Sequence, residues 1–365
     1  RNLENAETIH EESWMTVYRL PRFPSRPLRY ALNFPLFVNP VWLASIWRLA
    51  NRTRPDLLLV CDLPLAPCAI WIGRILGIPV HYDMGEVYPE FLRSLRLLER
   101  QGPLKRLIRT PAAAERLERY VLRRVVVTYV VSDESRDRCV ALGVPPERLV
   151  IVGNTPENLA ELQRPHGRPD DIADLVEEGR EILLFVGILI ADRGVLDAIR
   201  ALPDIQAVRP KAALVVVGDG PERPRLEEAV RVMGLASSVK IVGWKLPEQL
   251  TAYYQAASIG ILPFRDSPHV RLTLANKLFD YMGAGLPVLG ADLPPTRRIL
   301  EETGAGRLHR PDDPRDIARG AAEMLQDTEG LRLMGKVGAS AIKHKYNWDR
   351  DARRLLDGIE AQRGG

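Results

Sequence analysis

Apolar positions along this chain gather into short unbroken runs bounded by turn residues, and between the runs they recur every third or fourth residue. Residues 57–61, 78–82, 125–131 and 148–152 make a first set of runs, preceded by a lone strand candidate at 16–20. A second, clearer set covers 182–186, 213–217, 239–242, 259–262 and 287–289. Helical spacing fills the gaps at 195–202, 223–233, 247–257 and 275–282, and returns from 314 to about 362. Continuous apolar strands alternating with helices are the pattern of a parallel sheet covered on both faces. The pattern predicts doubly wound α/β domains, whose ligands lie beyond the carboxyl ends of the strands.

The 365 residues suit two such domains. A polar, acid-bearing stretch around Arg164, Pro165 and Pro169 separates the two sets of strands and reads as a linker. The expected division is an amino-terminal domain over 1–156, a linker over 157–180, a carboxyl-terminal domain over 181–345, and a last helix over 346–365 that would pack back on the first domain. The chain opens on Arg1, and the first domain is expected to lack its leading βα unit. Hydrophobic residues at 46% and charged residues at 27% exclude disordered, collagen-like and disulfide-scaffold classes. Cys61, Cys68 and Cys139 have neither disulfide nor zinc spacing, so they read as buried thiols of a cytoplasmic protein. No apolar run approaches the ~20 residues that cross a bilayer.

Charge changes this picture in the first half only. From Arg22 to Arg54 there are six arginines and no acid, interleaved with Phe23, Tyr30, Phe34, Phe37, Trp42 and Trp47. Between residues 91 and 124, ten basic residues stand against three acids, Glu99, Glu115 and Glu118. Basic residues among interfacial aromatics suit an anionic membrane surface, with a peripheral location on the inner membrane face; a solvated helix face over core aromatics accounts for the same residues. No nucleic-acid-binding motif accompanies the charge.

Three loops carry candidate chemistry. After the 182–186 run come Gly187, Ile188 and then Arg193 and Gly194 before a helix, an arrangement that can hold an anion, although an arginine there also reads as a surface residue. After 213–217 come Gly218, Asp219, Gly220 and Pro221; the third glycine of a dinucleotide fingerprint is missing, which disfavours a nicotinamide enzyme. These glycines allow close approach of a ligand, or simply make a tight turn. The third loop leads through His269 to a helix expected to start at Thr273 as N-cap, with Leu274, Ala275 and Asn276 in its first turn. Lys277 and Asp280 then share one face of that helix.

In order and spacing these runs resemble glycosyltransferase family 4. The matching stretches are 185–194, 217–221, the strand with Gly243 at its end, and Asn276-Lys277-Leu278-Phe279-Asp280-Tyr281-Met282-Gly283-Ala284-Gly285-Leu286-Pro287-Val288. The resemblance extends more loosely through Asp83, Gly85 and Glu86, Ser132 to Ser135, and Gly153 to Thr155. It implies a GT-B architecture: two Rossmann-like domains facing across a cleft. The implied activity is retaining transfer of a hexose from a UDP- or GDP-linked donor to a hydroxyl of a sugar, a lipid-linked acceptor or a cell-surface polysaccharide. It needs no cofactor beyond that donor, no protein nucleophile and no obligatory metal. Carried over by position, Arg193 would bind the diphosphate, Gly218, Asp219 and Gly220 would line the donor site, Gly243 and Trp244 would accommodate the base, and Asp280 would hold the ribose; Gly187, the helix start from Thr273 to Asn276 and Lys277 are further candidates around the diphosphate. Asp83 and Glu86 would serve the acceptor. Three positions differ from the family's motifs: Ile188 replaces an arginine, Leu272 a glutamate, and Asp280 a longer glutamate. A sugar-nucleotide epimerase of the same architecture and a non-catalytic nucleotide-sugar-binding protein are the competing readings.

Overall fold

The computed structural model describes residues 8–12, 15–18, 40–98 and 110–361. Two compact units emerge, the first from the strands and helices up to Val150 and the second from Ile151 onward, with 131–135 counted in the second.

In the first unit an antiparallel pair, β1 (Thr8–Glu12) and β2 (Met15–Tyr18), accompanies a four-stranded sheet in the order β3 (Leu58–Cys61), β4 (Val80–Met84), β5 (Thr128–Val130), β6 (Leu149–Ile151). Parallel ladders join β3 to β4 and β4 to β5. The helices are α1 (Pro40–Thr53), α2 (Ala66–Leu76), α3 (Tyr88–Leu98), α4 (Pro111–Leu122) and α5 (Asp133–Ala141). Gly77 ends α2 in the left-handed conformation at φ 70°, as its place in the sequence suggests. Cys68 and Cys139 are buried, but Cys61 is exposed at the end of β3, because a strand's last residue emerges at the sheet edge where loops begin.

The second unit is a six-stranded sheet in the order β12-β11-β10-β7-β8-β9, comprising β7 (Glu181–Val186), β8 (Ala212–Val217), β9 (Val239–Gly243), β10 (Ile259–Leu262), β11 (Val288–Ala291) and β12 (Gly306–His309). Every ladder in it is parallel. β8 is buried along its whole length, which is why it reads as an unbroken Ala/Leu/Val run. Intervening helices are α6 (Leu159–Gln163), α7 (Ala173–Glu177), α8 (Val195–Val208), α9 (Arg223–Val232), α10 (Pro247–Ala256), α11 (Asn276–Gly283), α12 (Pro294–Thr303), α13 (Pro314–Gln326), α14 (Thr328–His344) and α15 (Trp348–Glu360).

Numbering the strands within this sheet alone gives 3-2-1-4-5-6, the doubly wound order. The order reverses between β7 and β10, and there the sheet opens. These two strands pair only at Leu183 with Ile259 and Leu184 with Gly260. Beyond that point Val186 donates its N–H to the Tyr281 hydroxyl on α11 at 2.9 Å, so the strand's unpaired amide is satisfied by a side chain. Gly260 makes the arrangement possible: a Cβ there would meet the Tyr281 ring at 2.4 Å.

The structure departs from the sequence pattern in four respects. Residues 157–180 carry α6 and α7, with Ile172 and Leu175 in the core of the second unit, so this stretch is packed and not a free tether. β12 was absent from the pattern, since Gly306 and Arg307 interrupt the apolar signal of an edge strand. α8 continues through Pro203 to Val208; buried Ile199, Leu202 and Ile205 hold the helix where proline removes one backbone bond. The boundary falls at Ile151 and not after 156, so Thr155, whose hydroxyl Asp351 on α15 accepts at 2.6 Å, clusters with α15 in the second unit. The aromatics of 23–37, and Arg100, Lys105, Arg106 and Arg109, lie outside the described residues.

Candidate active site

At the switch point the loop after β7 and the loop after β8 are laced together by their backbones. Gly187 N–H donates to Val217 at 2.9 Å, Leu189 N–H to Asp219 at 2.9 Å, and Glu222 N–H to Leu189 at 3.0 Å. Such contact leaves no room for side chains. A Cβ on Gly218, at φ 147°, would stand 1.9 Å from the Gly187 carbonyl oxygen, and one on Gly194, at φ 65°, 1.8 Å from that of Pro263. Gly194 thus lets the start of α8 touch the end of β10. Gly220 fits as closely over Leu189, and Gly218 N–H reaches Gly243 at 2.8 Å. Gly187, Gly218, Gly220 and Gly243, singled out from three separate loops, therefore belong to one surface.

Onto this surface come two cations. The Arg193 guanidinium lies 5.0 Å from the centre of the Phe264 ring, and the Lys277 ammonium 5.3 Å from the same ring and 5.4 Å from that of Phe185. Lys277 also abuts Gly187, whose missing Cβ would fall 2.7 Å from its Nζ. Among the described residues no carboxylate pairs with Lys277. Arg193 has one carboxylate nearby, buried Asp192, at 3.7 Å, and neither Arg193 Nε nor Asp192 Oδ1 makes a hydrogen bond. Lys277 as a whole is partly exposed, but its ammonium end is surrounded by protein. Burial, with Arg193's charge second, lowers its pKa to about 7, against the opposing pull of Asp280 and Asp192.

A neighbouring hollow lined by Leu189, Gly194, Asp197, Glu222 and Arg265 is electrostatically different. There Arg265 is bound by Asp312 at 2.5 Å and Arg200 by Asp197 at 3.2 Å. Its cations are hydrogen-bonded to carboxylates, whereas over Phe264 the one ion pair, Arg193 with Asp192, is longer and makes no hydrogen bond between Nε and Oδ1.

Asp280, one turn along α11, is half-buried, and desolvation raises its carboxyl to about 6, with Lys277 opposing. Asp219 is engaged locally, accepting the Gly220 N–H at 2.7 Å and pairing with Arg223 at 3.2 Å. Trp244 is 69% exposed, so its ring is unclaimed by the core. Thr273 is not the N-cap of α11: its hydroxyl turns back to the His269 carbonyl at 2.9 Å, and Ala275 takes the cap position without a side-chain bond. Buried His269 holds this loop, Leu274 is buried beneath it, and Asn276 begins the helix on the exposed side. The uncapped first turn keeps amides available for an anion. Phe264, Asp192 and Tyr281 went unnoticed in the sequence; an aromatic at the carboxyl end of a switch-point strand was the available signal for Phe264.

Asp83 and Glu86 belong to the first unit. Asp83 stands one residue before the end of β4, beside Cys61 and Asp62, and burial raises its pKa above the ordinary carboxylate value, the Cys61 hydrogen bond opposing. The same setting pushes the Cys61 thiol up to about 11. Glu86 is exposed in the loop that follows. Buried His81 shares a hydrogen bond between Nδ1 and the Tyr129 hydroxyl at 2.9 Å, and burial lowers its pKa.

Comparison with known proteins agrees with this geometry. The model for "Glycosyl transferase 4-like domain" matches residues 6–155, and that for "Glycosyl transferases group 1" matches 180–327. A 2-deoxystreptamine N-acetyl-D-glucosaminyltransferase of Streptomyces fradiae is 27% identical over 348 residues, covering 89% of this chain and 79% of that one. Among solved structures, the sucrose-phosphate synthase of Thermosynechococcus elongatus matches with a TM-score of 0.74 at 18% identity, covering 98% of this chain and 86% of that one. HepE of Anabaena, solved with UDP, matches with a TM-score of 0.70 at 16% identity, covering 88% and 82%. With two adjoining family models spanning both units and neighbours of the same architecture, the chain belongs to glycosyltransferase family 4 and is a glycosyltransferase of GT-B fold.

Proposed function

We propose that the chain transfers a hexose from a UDP- or GDP-linked donor to an acceptor hydroxyl with retention at the anomeric carbon, without a covalent protein intermediate or a required metal. The observation that carries this reading is the pair of cations over Phe264, brought together with no hydrogen-bonded carboxylate between them. Like charges held near each other in a partly desolvated place repel, and a diphosphate is the ligand that turns this cost into binding. The HepE neighbour was also solved with UDP-glucose, which supports the same donor class.

Departure of the nucleoside diphosphate is the step to be assisted. Arg193, Lys277 and the first amides of α11 would meet the charge that grows on its oxygens. The backbone surface of Gly187, Gly218 and Gly220 admits the phosphates closely, Asp280 accepts from ribose hydroxyls, and Gly243 with Trp244 faces the base. On the acceptor side, Asp83 has the raised basicity to take a hydroxyl proton and Glu86 offers a further polar contact.

Incubation with radiolabelled UDP- and GDP-hexoses and a panel of hydroxyl acceptors tests the proposal, with product anomers read by NMR. Labelled glycoside of the donor's own anomeric configuration is expected. Inverted product overturns the retaining step, and free nucleotide with epimerised sugar points to the epimerase reading. Donor binding without turnover on any acceptor would indicate a binding protein.

A further inference from the structure

The first unit carries a cationic face of its own. On α4, Arg116, Arg119, Tyr120 and Arg123 fall on one side of the helix, with Arg124 just after it, and the four arginines are exposed. The helix's two acids point elsewhere: Glu118 is buried and accepts from Arg138 at 2.7 Å, and Glu115 pairs with Arg93. On the neighbouring α2, which has no acid, Trp71, Arg74 and Ile75 share one exposed side. The two faces are joined: Trp71 Nε1 donates to the Tyr120 hydroxyl at 2.8 Å, and the Arg124 guanidinium lies 3.9 Å over the Tyr120 ring. None of these five arginines forms an ion pair among the described residues. Ile75 is 66% exposed and Trp71 43%, an apolar pair that a solvated face has no use for.

We infer that this face docks the enzyme on an anionic lipid surface. Unpaired guanidinium groups meet lipid phosphates, Trp71 and Tyr120 supply the amphipathic rings that lie at headgroup depth, and Ile75 enters the acyl boundary. Among the described residues no helix is long and apolar enough to cross a membrane, so the contact proposed is peripheral.

Sedimentation of the whole chain with vesicles tests this without any donor or acceptor. Binding is expected to phosphatidylcholine vesicles containing phosphatidylglycerol, not to phosphatidylcholine alone, and to fall with added salt. Arg116→Ala/Arg119→Ala/Arg123→Ala, all solvent-facing changes, should weaken partitioning on the order of 100-fold while UDP affinity and the circular dichroism spectrum stay unchanged. Ile75→Glu should weaken it independently. Failure of the wild-type chain to sediment with anionic vesicles, or a triple variant that binds as well as wild type, overturns the inference. So does a chain that ignores vesicles yet binds RNA or an acidic protein through the same arginines.

Discussion

Lys277 has the environment in which residue-scale chemistry is most exposed to test. Its pKa of about 7 is set by burial and by Arg193, so a bound diphosphate should raise it and draw in a proton. Affinity for UDP-glucose, whose diphosphate lacks the phosphomonoester ionisation near pH 6, is expected to rise as pH falls from 9 through about 7. It should fall again below about 6, where Asp280 becomes protonated. Calorimetry across pH reads both limbs, and Lys277→Met should erase the alkaline one. The same substitution should raise the melting temperature of the free protein. Between about 7 and the ordinary 10.5 the unfolded chain binds the proton that the folded chain has lost, so the penalty is full below about 7 and fades toward 10.5. A thermal shift equal at pH 7 and pH 10 would contradict this assignment. Arg193→Ala removes the partner cation and should lower kcat by about 10²- to 10³-fold; a rate like wild type would exclude Arg193 from stabilising the leaving group.

At the scale of elements, the site depends on how β7 and β10 part company. Tyr281 on α11 both fills the space over Gly260 and receives the Val186 N–H, so it fixes the helix that carries Lys277 and Asp280. Tyr281→Phe keeps the ring and leaves that buried amide unsatisfied, at a cost of about 1–3 kcal/mol in urea unfolding. Unchanged stability would show that the bond is not needed there. These elements also show what the sequence discloses and what it conceals. Strands buried on both faces, such as β8, announce themselves because every position must be apolar, and Gly187 and Gly218 stand out because each directly follows a strand, with Gly220 close behind. Thr273 misled because a hydroxyl before a helix usually caps it, whereas this one is drawn back to the His269 carbonyl, a contact decided by the loop's tertiary packing. Residues 157–180 look like a tether for the opposite reason: their anchors, buried Ile172 and Leu175 with part-buried Leu159, Leu162 and Val176, are split between two helices of five residues each. Phe264 gathers Arg193 and Lys277 from separate loops, a partnership that only the fold reveals.

For the molecule as a whole, the strand order of the second unit places the carboxyl ends of β7 and β10 on either side of the opening, and three loops far apart in sequence meet there. That topology is what makes a series of individually weak motifs one site: each falls after a strand, and the doubly wound order brings those strand ends together. Arg193 and Lys277, two cations over one ring with, among the described residues, a single carboxylate near Arg193 at 3.7 Å, are proposed to hold a nucleoside diphosphate. Isothermal titration of UDP and GDP into the wild-type chain and into the Arg193→Ala/Lys277→Met variant tests it most directly. Saturable binding of one nucleotide by the wild type, weakened at least about 100-fold in the variant, is the predicted result. Equal affinity in the two proteins, or no uptake of either nucleotide by the wild type, would contradict it.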